Sequence, residues 1–403
     1  MIESFRVQNF KSIRDATIDF DPAVTVLVGR NSSGKTNLID SLRFLRDYLR
    51  GPEQASDRNQ REFREFVPAQ RTGAKLQYDV TLKLPQFPYP LCYALVLQMQ
   101  PQRSPGVIVV KEGLSGGSEK NAVFLAEKDS ATSDRKGLKI PPPGQVSRIA
   151  PQGQLALLGQ LPVSREASAV YGVLTESLGL YDFPLGLLKP NHDDEKRGVG
   201  RREANQRGLE DDGFGHLDVF GGFTRDHRLM ARKDWIAALL HTLNPAVESV
   251  EVDQPRRASK IVLGHRIGGQ LLPFDLSQES EGFRRVFAHL LALYQDPAKL
   301  LNCFEEPENG VHPGAMELLA EQFKLAAEED RGQVLLTTHS PRLLSHLPPS
   351  GLRVVEMIDG ETKVGPLEAG QLEALRDNLL APGELLDVDE ARRATDTNGA
   401  AGG

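Results

Sequence analysis

Gly29-Arg30-Asn31-Ser32-Ser33-Gly34-Lys35-Thr36 fits the G-x-x-x-x-G-K-T phosphate loop at each fixed position. Outward on one side stands Val24-Thr-Val-Leu-Val28, a short β-branched run that predicts a buried strand. On the other side Asn37 follows, and Leu38, Leu42, Leu45 and Leu49 recur at helical spacing. Strand, glycine loop and helix in that order are the context the motif requires. The glycines let the backbone wrap around phosphate oxygens, and N–H groups at the helix start supply positive potential. Gly29, Arg30, Asn31, Ser32, Ser33, Gly34, Lys35, Thr36 and Asn37 are therefore the candidate ATP-binding residues. Lys35 is expected to reach the β- and γ-phosphates, and the Thr36 hydroxyl to ligate Mg²⁺. The blander reading, a glycine turn that happens to precede a helix, gives no reason for the lysine and threonine.

Composition sets the outer bounds. The chain has 403 residues, 39% hydrophobic and 26% charged, the balance of an ordinary globular protein. A formal charge of −7 means that any nucleic-acid surface must be a local patch. Cys92 and Cys303 stand far apart without metal-ligand spacing, which excludes a zinc hook and suggests a reducing compartment. Met1-Ile-Glu-Ser-Phe-Arg6 has no apolar signal core, and no run approaches the ~20 apolar residues of a membrane span. A soluble, cytoplasmic protein with no membrane partner is the expectation.

Along the chain, Phe5, Val7, Phe10, Ile13, Ile18 and Phe20 predict strands before the loop. Residues 51–75 are polar and carry Arg58, Arg61, Arg64 and Arg71. Strand patterns return at Leu76–Leu84 and Leu91–Met99, then residues 101–160, rich in Gly, Ser and Pro, predict loops. Helical spacing follows at Val170–Leu180, then a charged, glycine-broken stretch with Lys196, Arg197, Arg201, Arg202 and Arg207. A helix is predicted at Trp235–Leu243, strands at Val250–Val252 and Ile261–Leu263, and a coreless, disordered tail over 391–403. There is no internal repeat, and no heptad pattern persists long enough for a coiled-coil arm. The predicted organisation is a catalytic domain split between residues 1–50 and 250–390, with residues 51–249 as an inserted lobe.

Leu300-Leu-Asn-Cys-Phe-Glu305-Glu306 reads as a buried strand ending in two carboxylates. Beside the phosphate-loop strand it would bring both acids to the γ-phosphate. Glu305 would hold Mg²⁺, through water, and Glu306 would orient and deprotonate the attacking water. Pro307-Glu-Asn-Gly-Val-His312 is a tight loop, with Pro313 fitting the first turn of a helix that carries Met316, Leu319, Phe323 and Ala327. Val334-Leu-Leu-Thr-Thr338 is a second buried strand, and His339 at its end can hydrogen-bond the γ-phosphate. Ser340 and Pro341 then cap and start a helix. Upstream, Ser280 precedes a helix bearing Phe283, Phe287, Leu290 and Leu291, another start whose amides suit an anion.

Taken together, the phosphate loop, Ser280-Glu-Gly282, Glu305-Glu-Pro-Glu-Asn-Gly-Val-His-Pro313 and Thr337-Thr-His-Ser-Pro341 resemble the ABC-type ATPase heads of the SMC, RecF and overcoming-lysogenization-defect (OLD) group. The compact bacterial AAA-family ATPases are the nearest in motif, and Phe5-Arg-Val-Gln-Asn-Phe-Lys-Ser-Ile13 is similar to their first strand. The resemblance covers about residues 1–50 and 270–390. It implies an α/β P-loop NTPase fold, a mixed sheet flanked by helices, with an inserted α/β or loop-rich lobe. A head-to-head homodimer around two ATP molecules is implied as well. In it Ser280 and Gly282 would contact the nucleotide of the other protomer, while His339 senses its γ-phosphate.

This chain departs from the family pattern in places. Glu281 occupies the first glycine of the fuller Leu-Ser-Gly-Gly-Gln form, Leu276-Ser277 is an alternative alignment, and Glu305 replaces the commoner aspartate. Gln70 is one candidate of several for the Mg²⁺-sensing glutamine. No Toprim-type acidic cluster follows His339; a hairpin, Leu352–Ile358 and Glu361–Val364 about Asp359-Gly360, and one helix are expected instead. An effector in another chain is thereby implied. DNA repair or phage defence is the implied setting, with Mg²⁺-dependent ATP hydrolysis driving a switch. DNA is a candidate partner through the arginine-rich insertion, against the alternative of solvated surface charge. The rival readings are a scaffold or effector regulator with little turnover, a transporter-type ATPase and a small-molecule kinase. The last gives no reason for Ser280 and His339.

Overall fold

The computed structural model describes residues 1–50, 75–99, 107–116, 123–129, 165–184, 186–188, 208–253 and 260–394. Two compact units emerge. One comprises Met1–Leu178, Pro349–Leu380 and Val388–Gly403, and the other Gly179–Pro348 and Ala381–Asp387.

The first unit begins with β1 (Ile2–Phe10) and β2 (Ile13–Asp19), paired antiparallel. Then come β3 (Val24–Val28), α1 (Lys35–Arg50), β4 (Leu76–Leu82), β5 (Leu91–Met99), β6 (Val107–Gly116) and β7 (Val123–Asp129). An antiparallel sheet has the order β2-β1-β4-β5-β6-β7. In β4 the buried residues are Leu76, Tyr78, Val80 and Leu82, the period-2 pattern of a strand with one face in the core. Strands β6 and β7 correct the loop expectation for residues 101–160. The β-branched run Val107-Ile-Val-Val110 pairs with β5, and that pairing outweighs the glycines and prolines around it.

All of β3 is buried, and α1 buries Leu38, Leu42, Leu45 and Leu49 on one face, worth roughly 2 kcal/mol for each leucine. Helix α2 (Arg165–Glu176) stops earlier than the Val170–Leu180 spacing predicts. Ser177 N–H closes it on the carbonyls of Gly172 and Val173 (3.1 and 3.2 Å), and the buried run Leu178–Tyr181 becomes β8.

In the second unit follow α3 (His216–Arg225), α4 (Met230–Leu243), β9 (Val247–Asp253), β10 (Lys260–Ile267) and β11 (Gln270–Asp275). Strands β9 and β11 flank β10 antiparallel. Next come α5 (Glu281–Tyr294), β12 (Leu301–Glu305), α6 (Met316–Glu328), β13 (Gln333–Thr337) and the one-turn α7 (Pro341–Ser345). Strands β12 and β13 pair in parallel, with Glu305 opposite Thr337, and β8 lies on the other side of β12. Every residue of α5 from Phe283 onward is buried. Its His289 packs against Phe183 and Phe304 (5.1 and 5.2 Å between ring centres), and Phe304 against Phe323 (5.1 Å).

The chain then returns to the first unit with β14 (Leu352–Ile358) and β15 (Glu361–Pro366). Strand β14 runs parallel to β3 and antiparallel to β15, so the sheet is mixed. The predicted hairpin is present: Asp359 (φ 53°) and Gly360 (φ 78°) both take the left-handed conformation that a tight hairpin turn demands. After it stand two helices rather than one, α8 (Ala369–Arg376) and the short α9 (Glu384–Asp387) of the second unit. Ala391 is buried and Arg393 bridges to Leu367, so the stretch assigned to a coreless tail has a packed beginning; residues 395–403 lie outside the described residues.

Candidate functional site

In the first unit the loop Gly29–Thr36 joins β3 to α1, as the motif requires. Gly29 (φ 155°), Ser32 (φ 64°) and Gly34 (φ 102°) all have positive φ. A side chain on Gly29 would put Cβ 2.1 Å from the carbonyl oxygen of Val355, and one on Gly34 would put it 2.0 Å from Thr362 Oγ1. Both glycines are thus needed for close approach as well as for conformation. Lys35, only 6% exposed, bends back so that Nζ donates to the carbonyls of Gly29 (2.8 Å) and Arg30 (2.9 Å). Its charge is held at the loop. Ser33 Oγ is buried and has no hydrogen-bond partner, whereas Asn31 and Thr36 are exposed. A glycine-bent turn, a pinned ammonium, an unmatched buried hydroxyl and an accessible threonine fit a nucleotide's phosphate chain.

Two of the candidate residues are engaged elsewhere. Asn37 donates from Nδ2 to Ser12 Oγ (2.7 Å), and Ser12 Oγ shares a hydrogen bond with Thr362 Oγ1 (2.6 Å). Thr362 Oγ1 reaches in turn to the carbonyl of Ser33 (3.2 Å), and Thr362 N–H to the carbonyl of Ser12 (3.0 Å). Asn37 therefore braces the loop from behind. Ser12 and Thr362 were not legible as site residues, because neither lies in a motif and their meeting spans 350 positions. Arg30 makes a bidentate pair with Glu390, which raises the guanidinium pKa above its ordinary value. Both partners are largely exposed, so the pair is of the kind that adds little stability.

In the second unit, Glu305 ends β12 and Glu306 stands at the turn that follows. Glu306 has φ 44°, a left-handed backbone for a non-glycine residue. Its N–H donates to both the carbonyl (3.2 Å) and Oγ1 (3.1 Å) of Thr337, which hold it there. Such strain, maintained by surrounding contacts, is a feature of functional positions. Asn309 Nδ2 donates to Glu306 Oε2 (2.7 Å), and His339 Nε2 lies 3.7 Å from Glu306 Oε1. Both side chains are partly open, at 42% for Glu306 and 34% for His339. The carboxylate and imidazole thus meet at the ends of two parallel strands, as their motifs predict.

Ser280 caps α5, its Oγ accepting from Phe283 N–H (3.3 Å). In the alternative alignment, Ser277 sits in a single 3₁₀ turn, where its N–H and hydroxyl are both held by Asp275 Oδ1 (2.9 and 2.7 Å). Ser280 is the serine at the head of a long helix. Glu281, the acid at the glycine position, pairs one turn along α5 with Arg285 Nε (3.3 Å), which offsets its charge. Gly282 has a local cause: a Cβ there would lie 2.5 Å from the carbonyl oxygen of Gly310.

Gln70 and both basic groups (Arg58, Arg61, Arg64 and Arg71; Lys196, Arg197, Arg201, Arg202 and Arg207) lie outside the described residues. Among the described residues no group of three or more His, Cys, Asp or Glu is placed to hold a metal ion. Magnesium in phosphate-loop sites needs no such cage, since a hydroxyl and a single acid suffice beside phosphate oxygens and water. Among the described residues no helix is long and apolar enough to cross a membrane.

Comparison with known proteins adds three findings. Residues 1–76 match a family model described as "AAA ATPase domain", and residues 169–345 match one described as "AAA domain, putative AbiEii toxin, Type IV TA system". Short stretches are similar to DNA replication and repair protein RecF. That of Lactobacillus acidophilus is 38% identical over 58 residues, 14% of this chain and 15% of the relative. That of Porphyromonas gingivalis is 48% identical over 56 residues, 13% of this chain and again 15% of the relative. The match thus spans about a seventh of these relatives' length.

Two solved structures share the fold. One is an SmcHead bound to the C-winged helix domain of ScpA, with TM-score 0.51 and 13% identity, covering 92% of this chain and 99% of that one. The other is an Smc head domain with an extended coiled coil bound to the C-terminal domain of ScpA derived from Pyrococcus furiosus. Its TM-score is 0.51 at 12% identity, covering 94% and 99%. The fold is thus the SMC-head type of P-loop ATPase, and in its two AAA-domain matches and its RecF-like stretch the chain is similar to the SMC/RecF-like ABC-type ATPases.

Proposed function

We propose that this protein hydrolyses ATP with Mg²⁺, and that hydrolysis opens and closes a head-to-head homodimer acting as a switch in a DNA-related process, repair or phage defence. The observation that carries hydrolysis is Glu306, held in a left-handed backbone with its carboxylate between Asn309 and His339. In this reading Lys35 and the amides of Gly29–Thr36 bind the phosphates, and Glu306 orients water and accepts its proton. His339 contacts the γ-phosphate. Bound Mg²⁺ would neutralise phosphate charge, with Thr36 and Glu305 as the residues that hold it. Asn37 and Arg30 support the loop.

Ser280 and Gly282 serve the nucleotide of the partner protomer, so each site needs two chains. The SMC-head fold and the capped start of α5 support that part of the reading. A separate effector protein, a nuclease or toxin, reads the state of the dimer, and the insertion carrying the basic groups is a candidate DNA surface.

The test is Mg²⁺-dependent phosphate release by wild type, Lys35→Ala and Ser280→Arg, alone and mixed. The expected result is turnover by wild type, none by either variant alone, and partial recovery on mixing, since one intact composite site then forms. Recovery that is absent while mixed dimers demonstrably form means a site complete in one chain. Wild type that binds ATP without releasing phosphate means a scaffold or regulator.

A further inference from the structure

Glu308, two residues beyond Glu306, sits in the turn between β12 and α6. Its Oε1 accepts three hydrogen bonds from the end of the neighbouring strand: from Thr338 Oγ1 (2.7 Å), His339 N–H (2.7 Å) and Ser340 N–H (3.1 Å). Thr338 Oγ1 also accepts from Ser340 N–H (3.0 Å), which closes the group. Here β13 has ended and α7 has not begun, so the amides of His339 and Ser340 lie between the two elements. One carboxylate oxygen satisfies both. Charge-assisted bonds of this kind are roughly twice as strong as neutral ones.

The His339 imidazole is itself only partly buried and has Glu306 at 3.7 Å. Its placement therefore depends on the backbone that carries it. On the far side of the same turn, Gly310 packs against Gly282 at the head of α5. The turn ties the base-bearing strand, the histidine-bearing strand and the start of α5 into one piece.

We propose that Glu308 is a positioning residue, a clamp on the backbone of His339 that sets the imidazole against the Glu306 carboxylate. The role rests on the catalytic reading of Glu306 and His339 given above. A single oxygen accepts all three bonds, so glutamine, which keeps that oxygen at the same reach without the charge, should hold the geometry with weaker bonds. Alanine removes the acceptor of the His339 amide and leaves the Ser340 amide with only Thr338 Oγ1, and aspartate is too short by one methylene to reach all three donors.

The experiment pairs hydrogen exchange at the His339 and Ser340 amides with a double-mutant cycle in ATP turnover. In wild type and Glu308→Gln both amides should be protected. In Glu308→Ala, or in Glu308→Asp if the alanine variant does not fold, they should exchange at least about 10-fold faster. Turnover should fall about 10-fold in Glu308→Ala with the KM for ATP little changed, and recover for the most part in Glu308→Gln. In the cycle, Glu308→Ala should cost nothing further once His339→Ala is present, because it acts through the histidine. Unchanged exchange in the alanine and aspartate variants overturns the clamp, as does full additivity with His339→Ala. Wild type that hydrolyses no ATP refutes the catalytic reading instead, while the exchange result still decides whether Glu308 holds His339.

Discussion

Asn309 donates from Nδ2 to Oε2 of Glu306 at 2.7 Å, leaving Oε1 of the same carboxylate facing Nε2 of His339 at 3.7 Å. The two oxygens therefore have different surroundings: one is tethered to an amide, and the other faces an imidazole. Asn309 is expected to matter through orientation alone. Asn309→Ala should lower kcat about 10-fold, the scale of one hydrogen bond to a charged group, and leave the KM for ATP nearly unchanged. Steady-state kinetics check it. A rise in KM with kcat preserved would place Asn309 in substrate binding.

Glu306→Gln and Lys35→Ala should fail in different ways. The amide keeps the size of Glu306 but cannot take the water's proton, so turnover should drop by about 10²-fold or more while ATP still binds. Lys35→Ala removes the ammonium held by Gly29 and Arg30, and binding itself should be lost. Equilibrium binding of a labelled nucleotide separates the two outcomes. Hydrolysis by Glu306→Gln at the wild-type rate would remove Glu306 from the role of base.

The placement of the candidate site was largely legible in the sequence because its motifs are local. Gly29–Thr36, Glu305-Glu306 and Thr337–Ser340 each lie on one strand–turn unit, so each pattern occupies a few consecutive residues. The hairpin about Asp359-Gly360 was legible for the same reason. The bracing of the phosphate loop by Ser12 and Thr362 was not, since no periodicity links residues that distant. Nor did the sequence show why Gly282 is glycine, because the cause is the carbonyl of Gly310 on another element. Strands β6 and β7 were hidden by the glycines and prolines around them, and the pairing of β6 with β5 and of β7 with β6 makes their case. Arg30 and Asn37 were read as nucleotide ligands from their place in the motif, and their side chains turn instead to Glu390 and Ser12.

The brace behind the loop yields its own expectation. Ser12→Ala removes the oxygen that Asn37 Nδ2 and Thr362 Oγ1 both use, which takes that bond from Asn37 and leaves Thr362 Oγ1 with the Ser33 carbonyl. Stability should fall by about 1–3 kcal/mol, and nucleotide affinity should fall with it as the loop loosens. Denaturant unfolding and nucleotide titration read the two effects. Loss of stability with unchanged affinity would mean that Ser12 supports the sheet and not the loop.

His289 carries a pH dependence. Burial among Phe183, Phe304 and Phe323 lowers its pKa from the usual 6.5 to about 4, the hydrogen bond to the Arg285 carbonyl opposing only in part. Between these values the unfolded chain binds the proton and the folded one does not, so stability rises with pH across the window and is lost on acidification. The contribution lost by pH 4 is roughly 3 kcal/mol. Denaturant unfolding of wild type and His289→Leu from pH 7 to pH 4 should show a difference that shrinks through this range. Parallel curves would mean that His289 titrates normally.

The backbone of Glu306 supports a last expectation, which concerns stability alone. At φ 44° any residue with a Cβ is strained by about 1–2 kcal/mol, and glycine is not. Glu306→Ala and Glu306→Gly both lose the bond from Asn309 and the contact with His339, so those losses cancel when the two variants are compared. What remains is the relief of strain in the folded glycine variant, less the extra freedom that glycine has when unfolded, about 0.5–1 kcal/mol. Glu306→Gly should therefore be more stable than Glu306→Ala by up to about 1.5 kcal/mol, and both should be inactive. Denaturant unfolding of the two proteins side by side measures the difference. A glycine variant clearly less stable than the alanine variant would show that the turn relaxes when the carboxylate is removed, and that the left-handed backbone is kept by the bonds of Glu306 rather than imposed by Thr337 and the strand ends.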